Sequence, residues 1–208
     1  MSKTRLLYGT GNPGKVQHMR KLLSSLDVEV AGIKELGLAL PDIDESGDNP
    51  LENAIIKAKA FYKALGKPVF SEDSSLYFEE VPPELQPGVH VRRVNGKSLT
   101  DPEMTAYYAN LAKRYGGKLT AQYRNAVCFA VSENVILTRF APDIWSERFL
   151  LTDTPHEKRV DGFPLDCLSV RIKSGKYFYD DTYDEFRHEG WVRFFREALK
   201  CKEYASLC

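Results

Sequence analysis

The sequence predicts an α/β fold, and three observations carry that prediction. A short apolar run, Arg5-Leu6-Leu7-Tyr8, breaks at Gly9 and leads into a proline-initiated helical stripe, the order of a strand, a glycine turn and a helix. The clearest helical periodicity is Leu51, Ala54, Ile55, Ala58, Phe61, Tyr62 and Leu65. It stops at Gly66 and Pro68, just before the apolar pair Val69-Phe70. The second half is instead rich in β-branched and aromatic runs separated by Ser, Asn and Gly.

In order, Arg5–Tyr8 is a buried strand, and the helix opened by Pro13 places Val16, Met19, Leu22, Leu23 and Leu26 on one face. Val28–Ile33 is a second strand, and 41–50 is an acidic loop without periodicity. The helix from Leu51 to Leu65 feeds a short strand at Val69-Phe70. The polar segment 71–75 then turns, and Pro82, Pro83 and Pro87 keep the next stretch a loop. Thr100-Asp101-Pro102-Glu103 has the spacing of a capping box, predicting a helix to about Tyr115 that ends at Gly116-Gly117. Tyr123–Val131 with Val135–Phe140 form one hairpin, and Cys167–Ile172 with Lys176–Tyr179 a second. A helix from Trp191 to Cys201 follows.

With 208 residues and 43% hydrophobic content, the chain suffices for one domain spanning 1–208. Basic and acidic residues both number 29, so no net field draws in nucleic acid or an anionic membrane, and any anionic ligand must be held by locally placed cations. The apolar run at the start is too short for a signal core or a membrane span, which predicts a cytoplasmic protein. Cys128, Cys167, Cys201 and Cys208 have no paired spacing, so neither a zinc site nor a disulfide framework is expected.

Candidate chemistry gathers where strands and helices meet. Thr10-Gly11-Asn12 at a helix N-terminus, with Lys15 one turn in, suits phosphate oxygens, because such a terminus offers unpaired N–H groups and partial positive charge. An ordinary glycine turn beside a solvated lysine explains the same residues when they are taken alone. Asn53 and Lys57 stand at i and i+4, so they share one helix face. Glu45, Glu72 and Asp73 are oxygen donors of the kind Mg²⁺ takes together with substrate phosphates, although solvated turns also carry such residues.

Taken in order, these pieces resemble the inosine triphosphate pyrophosphatase family. Thr10, Gly11, Asn12 and Lys15 fit its T-G-N-x-x-K. Glu45-Ser46-Gly47 and Glu52-Asn53-Ala54-Ile55-Ile56-Lys57-Ala58 fit E-T-G and E-N-A-x-x-K-A. Glu72-Asp73-Ser74-Ser75-Leu76 resembles D-D-S-G-L, and Pro87-Gly88-Val89 with Arg93 resembles its P-G-V/I and downstream arginine. Further on, Arg124–Phe129 resembles a returning strand, Gly162-Phe163-Pro164-Leu165-Asp166 stands for G-F-G-Y-D, and Arg187-His188-Glu189 for S-H-R.

The resemblance implies a long twisted mixed sheet with flanking helices and a central cleft between two lobes. It also implies Mg²⁺-dependent cleavage of a nucleoside triphosphate between its α and β phosphates, on aberrant purine nucleotides of the ITP, dITP and XTP type, by a homodimer. Under it, Glu45, Glu72 and Asp73 hold metal, and Asp73 and Lys57 are catalytic. Thr10, Gly11, Asn12, Lys15, Asn53, Ser74 and Arg93 bind substrate, and Phe163, Asp166, Arg187 and His188 meet the base. The departures fall mainly in the base-reading segments. Two other readings therefore stand beside it: the same chemistry on modified pyrimidine or oxidised nucleotides, and a nucleotide-binding protein without turnover.

Overall fold

The computed structural model describes residues 3–39, 41–181, 188–201 and 204. The strands are β1 (Thr4–Tyr8), β2 (Val28–Gly32), β3 (Val69–Phe78), β4 (Arg93–Val94), β5 (Lys97–Ser98), β6 (Lys118–Ala130), β7 (Ile136–Arg139), β8 (Phe149–Thr152) and β9 (Ser169–Arg171). The helices are α1 (Pro13–Leu22), α2 (Pro50–Leu65), α3 (Asp101–Arg114) and α4 (His188–Ala198). Among the described residues, seven strands form one mixed sheet in the order β2-β1-β3-β6-β8-β9, with β7 also paired to β6. β1 runs parallel to β2 and β3, whereas β6 is antiparallel to β7 and β8. This is the predicted mixed α/β architecture of a long sheet with flanking helices.

The chain divides into two compact units. One comprises Met1–Ser74, Arg124–Trp145 and Phe186–Cys208, and the other Ser75–Tyr123 and Ser146–Glu185. In the first, alternation along the strands sorts side chains onto two faces. Leu6, Tyr8, Phe70, Val127 and Phe129 join Val16 and Met19 of α1 and Phe194 and Phe195 of α4 in one core. Leu7 and Val69 pack instead with Ile33 and with Phe61 of α2. Ala126, Cys128 and Ala130 of β6 meet Ala54 and Ala58 of α2, an interface of small side chains that brings the helix close to the sheet. In the second unit α3 packs Met104, Tyr108 and Leu111 against Leu76, Leu119, Phe149 and Leu151.

Local chemistry explains the helix ends. Asn49 accepts from the Glu52 N–H at 3.0 Å to cap α2, and Gly66 ends it with a left-handed residue donating to the Tyr62 carbonyl. The Thr100/Glu103 capping box is formed at α3 as its spacing predicts.

Five features differ from expectation. Residues 71–75 do not turn, because β3 continues unbroken from Val69 to Phe78. Their polar run lacks strand alternation, yet each of the first three side chains finds a partner, the Ser71 hydroxyl donating to the Gly9 carbonyl and Glu72 and Asp73 pairing with lysines. β6 begins at Lys118, five residues before the predicted Tyr123, and β8 had no counterpart in the sequence reading. The hairpin β4–β5, turning on Asn95 and Gly96 with positive φ, also escaped it. In the second predicted hairpin only Ser169–Arg171 is a strand, and the returning segment contributes a bridge between Val170 and Tyr177.

Gly9 ends β1 in a space with no room for a side chain. A Cβ there would lie 2.4 Å from Phe61 Cδ2 and 2.5 Å from Ser71 Oγ. Gly9→Ala should therefore destabilise the fold by about 2 kcal/mol through overpacking. A lowered denaturant midpoint with an unchanged slope is the expected result, and an unchanged midpoint counts against this close approach.

Candidate active site

The small-residue contact between α2 and β6 places the polar edge of α2 over β3. Lys57 reaches across with its ammonium 2.6 Å from Asp73 Oδ1 and 3.0 Å from Glu45 Oε2. Burial pulls the Lys57 pKa down, but the charges of Asp73 and Glu45 prevail and hold it above its ordinary value. The ammonium is thus a fixed cation gripping two carboxylates from separate elements.

Asn53, one turn earlier and only 3% exposed, ties the same elements together through its amide. Its Oδ1 accepts from the Gly47 N–H at 2.8 Å, and its Nδ2 donates to Asp73 Oδ2 at 3.3 Å. Gly47 is required by this contact, since a Cβ would stand 2.7 Å from Asn53 Oδ1. The acidic loop carrying Glu45 is therefore fastened to α2 and β3 by one buried amide. The sequence reading takes Asn53 as a substrate contact, whereas its carbonyl and amide both already serve the protein. The E-x-G followed by E-N-A spacing was the signal that could have revealed this.

Glu72 stands apart from that cluster, although the sequence groups it with Glu45 and Asp73. Consecutive residues of a strand point to opposite faces, so Asp73 addresses α2 while Glu72 addresses α1. There it pairs with Lys15 at 3.4 Å. Burial raises the Glu72 pKa, but Lys15, the Tyr8 hydroxyl and His18 outweigh it and hold the carboxyl below its usual range. The Tyr8 hydroxyl is buried and meets no acceptor with hydrogen-bond geometry among the described residues, although it lies close enough to Glu72 for each to influence the other.

At the start of α1, Asn12 caps its own helix, its Oδ1 accepting from the N–H groups of Gly14 and Lys15 at 2.8 and 3.3 Å. The Asn12 N–H donates to Thr10 Oγ1 at 3.2 Å, which fixes the turn. With Pro13 at the first helical position, the first-turn N–H groups are satisfied internally, so positive charge near this turn comes chiefly from Lys15. Ser74 follows Asp73 on β3 and is partly buried.

Of the remaining candidates, Arg93, Phe163 and Asp166 belong to the second unit and His188 to the first. Arg93 is exposed on β4. Phe163 and Asp166 share one turn, in which the Asp166 N–H donates to the Phe163 carbonyl at 3.2 Å. Asp166 keeps some exposed surface, yet its carboxyl is enclosed enough that burial pushes its pKa up to about 7 against the pull of Arg171. Arg187 lies outside the described residues, and His188 opens α4. Among the described residues no three His, Cys, Asp or Glu side chains converge as a metal cage, so a metal here would rely on two carboxylates and its ligand. Among the described residues Cys128, Cys167 and Cys201 form no disulfide, and no described helix is long and apolar enough to cross a membrane.

Comparisons with known proteins bear on this arrangement. A family model described as the Ham1 family matches residues 6–144. A dITP/XTP pyrophosphatase of Thermus thermophilus is 32% identical over 94% of this chain and 92% of its own length. One of Rhodopseudomonas palustris is 35% identical over 61% of this chain, and one of Symbiobacterium thermophilum is 35% identical over the same share. In these two matches the chain spans about 60% of the relative's length. Among solved structures, a Ham1 protein of Coxiella burnetii superposes with a TM-score of 0.68 at 22% identity, covering 93% of this chain and 99% of that one. The Ham1 protein of Staphylococcus aureus gives 0.66 at 22%, covering 95% and 100%.

Two measurements test the geometry. Asn53→Leu keeps the volume but leaves the Gly47 N–H without its acceptor and removes the amide donor from Asp73 Oδ2, so stability should fall by about 2 kcal/mol. Loss of under half that in chemical unfolding would show that the amide is not a tether. Asp166 has its folded pKa raised from 3.8 to about 7, so its stabilising contribution is complete below pH 3.8 and is lost as pH rises toward 7. Asp166→Asn should flatten the stability profile across that window, and parallel profiles for the two proteins would contradict the enclosed carboxyl.

Proposed function

Because this chain belongs to the Ham1 family, we propose that it is a nucleoside triphosphate pyrophosphohydrolase that releases pyrophosphate and a nucleoside monophosphate, acting on aberrant purine nucleotides of the dITP and XTP type. The observation that carries the proposal is the Lys57 ammonium held between Glu45 and Asp73, with Lys15 at the glycine turn of the same unit. Phosphoryl and nucleotidyl transfer depends mainly on positioning and on charge neutralisation, and this cluster offers fixed charges of both signs.

Glu45 and Asp73 are hard oxygen donors from neighbouring elements, brought together around Lys57, and they are the residues that would hold Mg²⁺. Mg²⁺ bound there with the substrate supplies Lewis-acid stabilisation of charge on the phosphate oxygens. In the proposed reaction the Asp73 carboxylate accepts the proton of the attacking water, which adds to the α-phosphorus as the bond to the bridging α–β oxygen breaks. Lys57 keeps Asp73 oriented, and Lys15 neutralises the departing pyrophosphate. The electron pair of the broken bond leaves with that pyrophosphate. Phe163 offers a face for the base, and Asp166 both donates and accepts near neutrality because its pKa is about 7. Arg93, Thr10, Gly11, Ser74, Arg187 and His188 complete the proposed substrate contacts. The same reading takes the enzyme to be a cytoplasmic homodimer, and a monomer mass in sedimentation at working concentration would remove the dimer from it.

The test is pyrophosphate release from a panel of triphosphates with Mg²⁺, including dITP, XTP, an oxidised purine and a modified pyrimidine. Release should be fastest from dITP or XTP. Preference for the pyrimidine would transfer the proposal to that substrate, and binding without release would remove the enzyme reading. Asp73→Asn should lower kcat by about a thousandfold with the fold retained, as expected when a general base is removed.

A further inference from the structure

Glu72 and its neighbours form a second polar cluster, on the α1 face of β3 and separate from the Lys57 grip. The Glu72 side chain is only 10% exposed, Lys15 pairs with it at 3.4 Å through a side chain that remains 29% exposed, and the charge of His18 also favours the carboxylate. That pair is loose on one side and sealed on the other. Tyr8 reaches the same carboxylate from β1, because Tyr8 pairs with Phe70 in the register and Glu72 lies two residues further along the same face. Its ring stacks on Phe70 with centroids 4.4 Å apart and planes 14° apart, so the hydroxyl cannot swing elsewhere. A buried hydroxyl without a partner costs about 1–3 kcal/mol, and the two carboxylates whose charge it feels, Glu72 first and Asp73 second, are each already paired with a lysine.

We propose that Lys15 and Tyr8 exchange as partners of Glu72: Lys15 neutralises the carboxylate in the free enzyme, and when Lys15 turns to a phosphate group the Tyr8 hydroxyl donates to the carboxylate left behind. Tyr8 is then a positioning residue for ligand binding, and Glu72 a holder of Lys15 in place of a metal ligand. The exchange rests on the proposed role of Lys15 as a phosphate contact. It accounts for three features together: the loose pair, the sealed carboxylate and the orphaned hydroxyl. Without a second donor, moving Lys15 to the ligand would leave the buried charge of Glu72 with only His18 to balance it.

The experiment measures inorganic tripolyphosphate binding by calorimetry, without metal, for the wild type, Tyr8→Phe, Glu72→Gln and the double variant. Tyr8→Phe should weaken binding about tenfold, in line with one hydrogen bond to a charged group. Glu72→Gln should tighten it several-fold, roughly the gain from freeing a partnered lysine. In the Glu72→Gln background, Tyr8→Phe should have no further effect, a coupling that a merely structural tyrosine does not produce. In turnover assays Tyr8→Phe should raise KM while leaving kcat within about twofold. Equal effects of Tyr8→Phe in both backgrounds, or weaker binding by Glu72→Gln, overturn the exchange, and the second result stands even if Tyr8→Phe does not fold. Failure of wild type to bind tripolyphosphate overturns it together with the phosphate role of Lys15. Absence of pyrophosphate release with the coupling intact refutes the proposed activity alone.

Discussion

A buried ammonium that must be matched by carboxylates organises the first unit. Lys57 is enclosed enough that burial opposes its charge, and the charges of Asp73 and Glu45 outweigh that opposition. Each of those carboxylates is delivered by a different element, so the ion cluster requires α2, the acidic loop and β3 to be in register at once. The Asn53 amide serves the same end with neutral groups, joining the loop backbone to Asp73. Removing one charge from such a set leaves another unpaired, which is why it behaves as a unit.

The geometry beneath this cluster is that of small residues. Ala54 and Ala58 against Ala126, Cys128 and Ala130 let α2 approach the sheet closely, and Gly9 clears space for Phe61 and Ser71. Larger side chains at these positions would lift the helix and with it Lys57. The alternation of β3 then divides its two carboxylates, one toward the Lys57 grip and one toward Lys15 and Tyr8. Two cations thus meet opposite faces of a single strand, Lys57 at Asp73 and Lys15 at Glu72.

Much of this was legible in the residues. Helices α1, α2 and α3 follow from periodicity, proline at the first turn and capping residues, because such signals are local and strong. β1, β2 and the β6–β7 hairpin are short apolar runs between turn residues, and they too are local. The segment 71–75 misled because a strand with polar residues on both faces has no periodic signature, and its pairing energy lies in neighbours distant along the chain. β8 is short and carries no turn motif of its own, and β4–β5 spans only two residues a side. The motif residues themselves were found, yet their partners were not, since a spacing says which residue types recur and not which atoms meet.

By itself the sequence determined the fold class, the helices, the family and the inventory of cations and carboxylates, because hydrophobic period, capping and ordered motifs are written along the chain. Only the tertiary structure decided how that inventory is shared. It joined the acidic loop to Asp73 through the Asn53 amide and separated Glu72 from Asp73. The physical reason is that ion pairs and buried hydrogen bonds are set by which strand faces and helix edges come within about 3 Å of each other. That proximity arises from packing between segments far apart in sequence, most directly the alanine interface that seats α2 on β6.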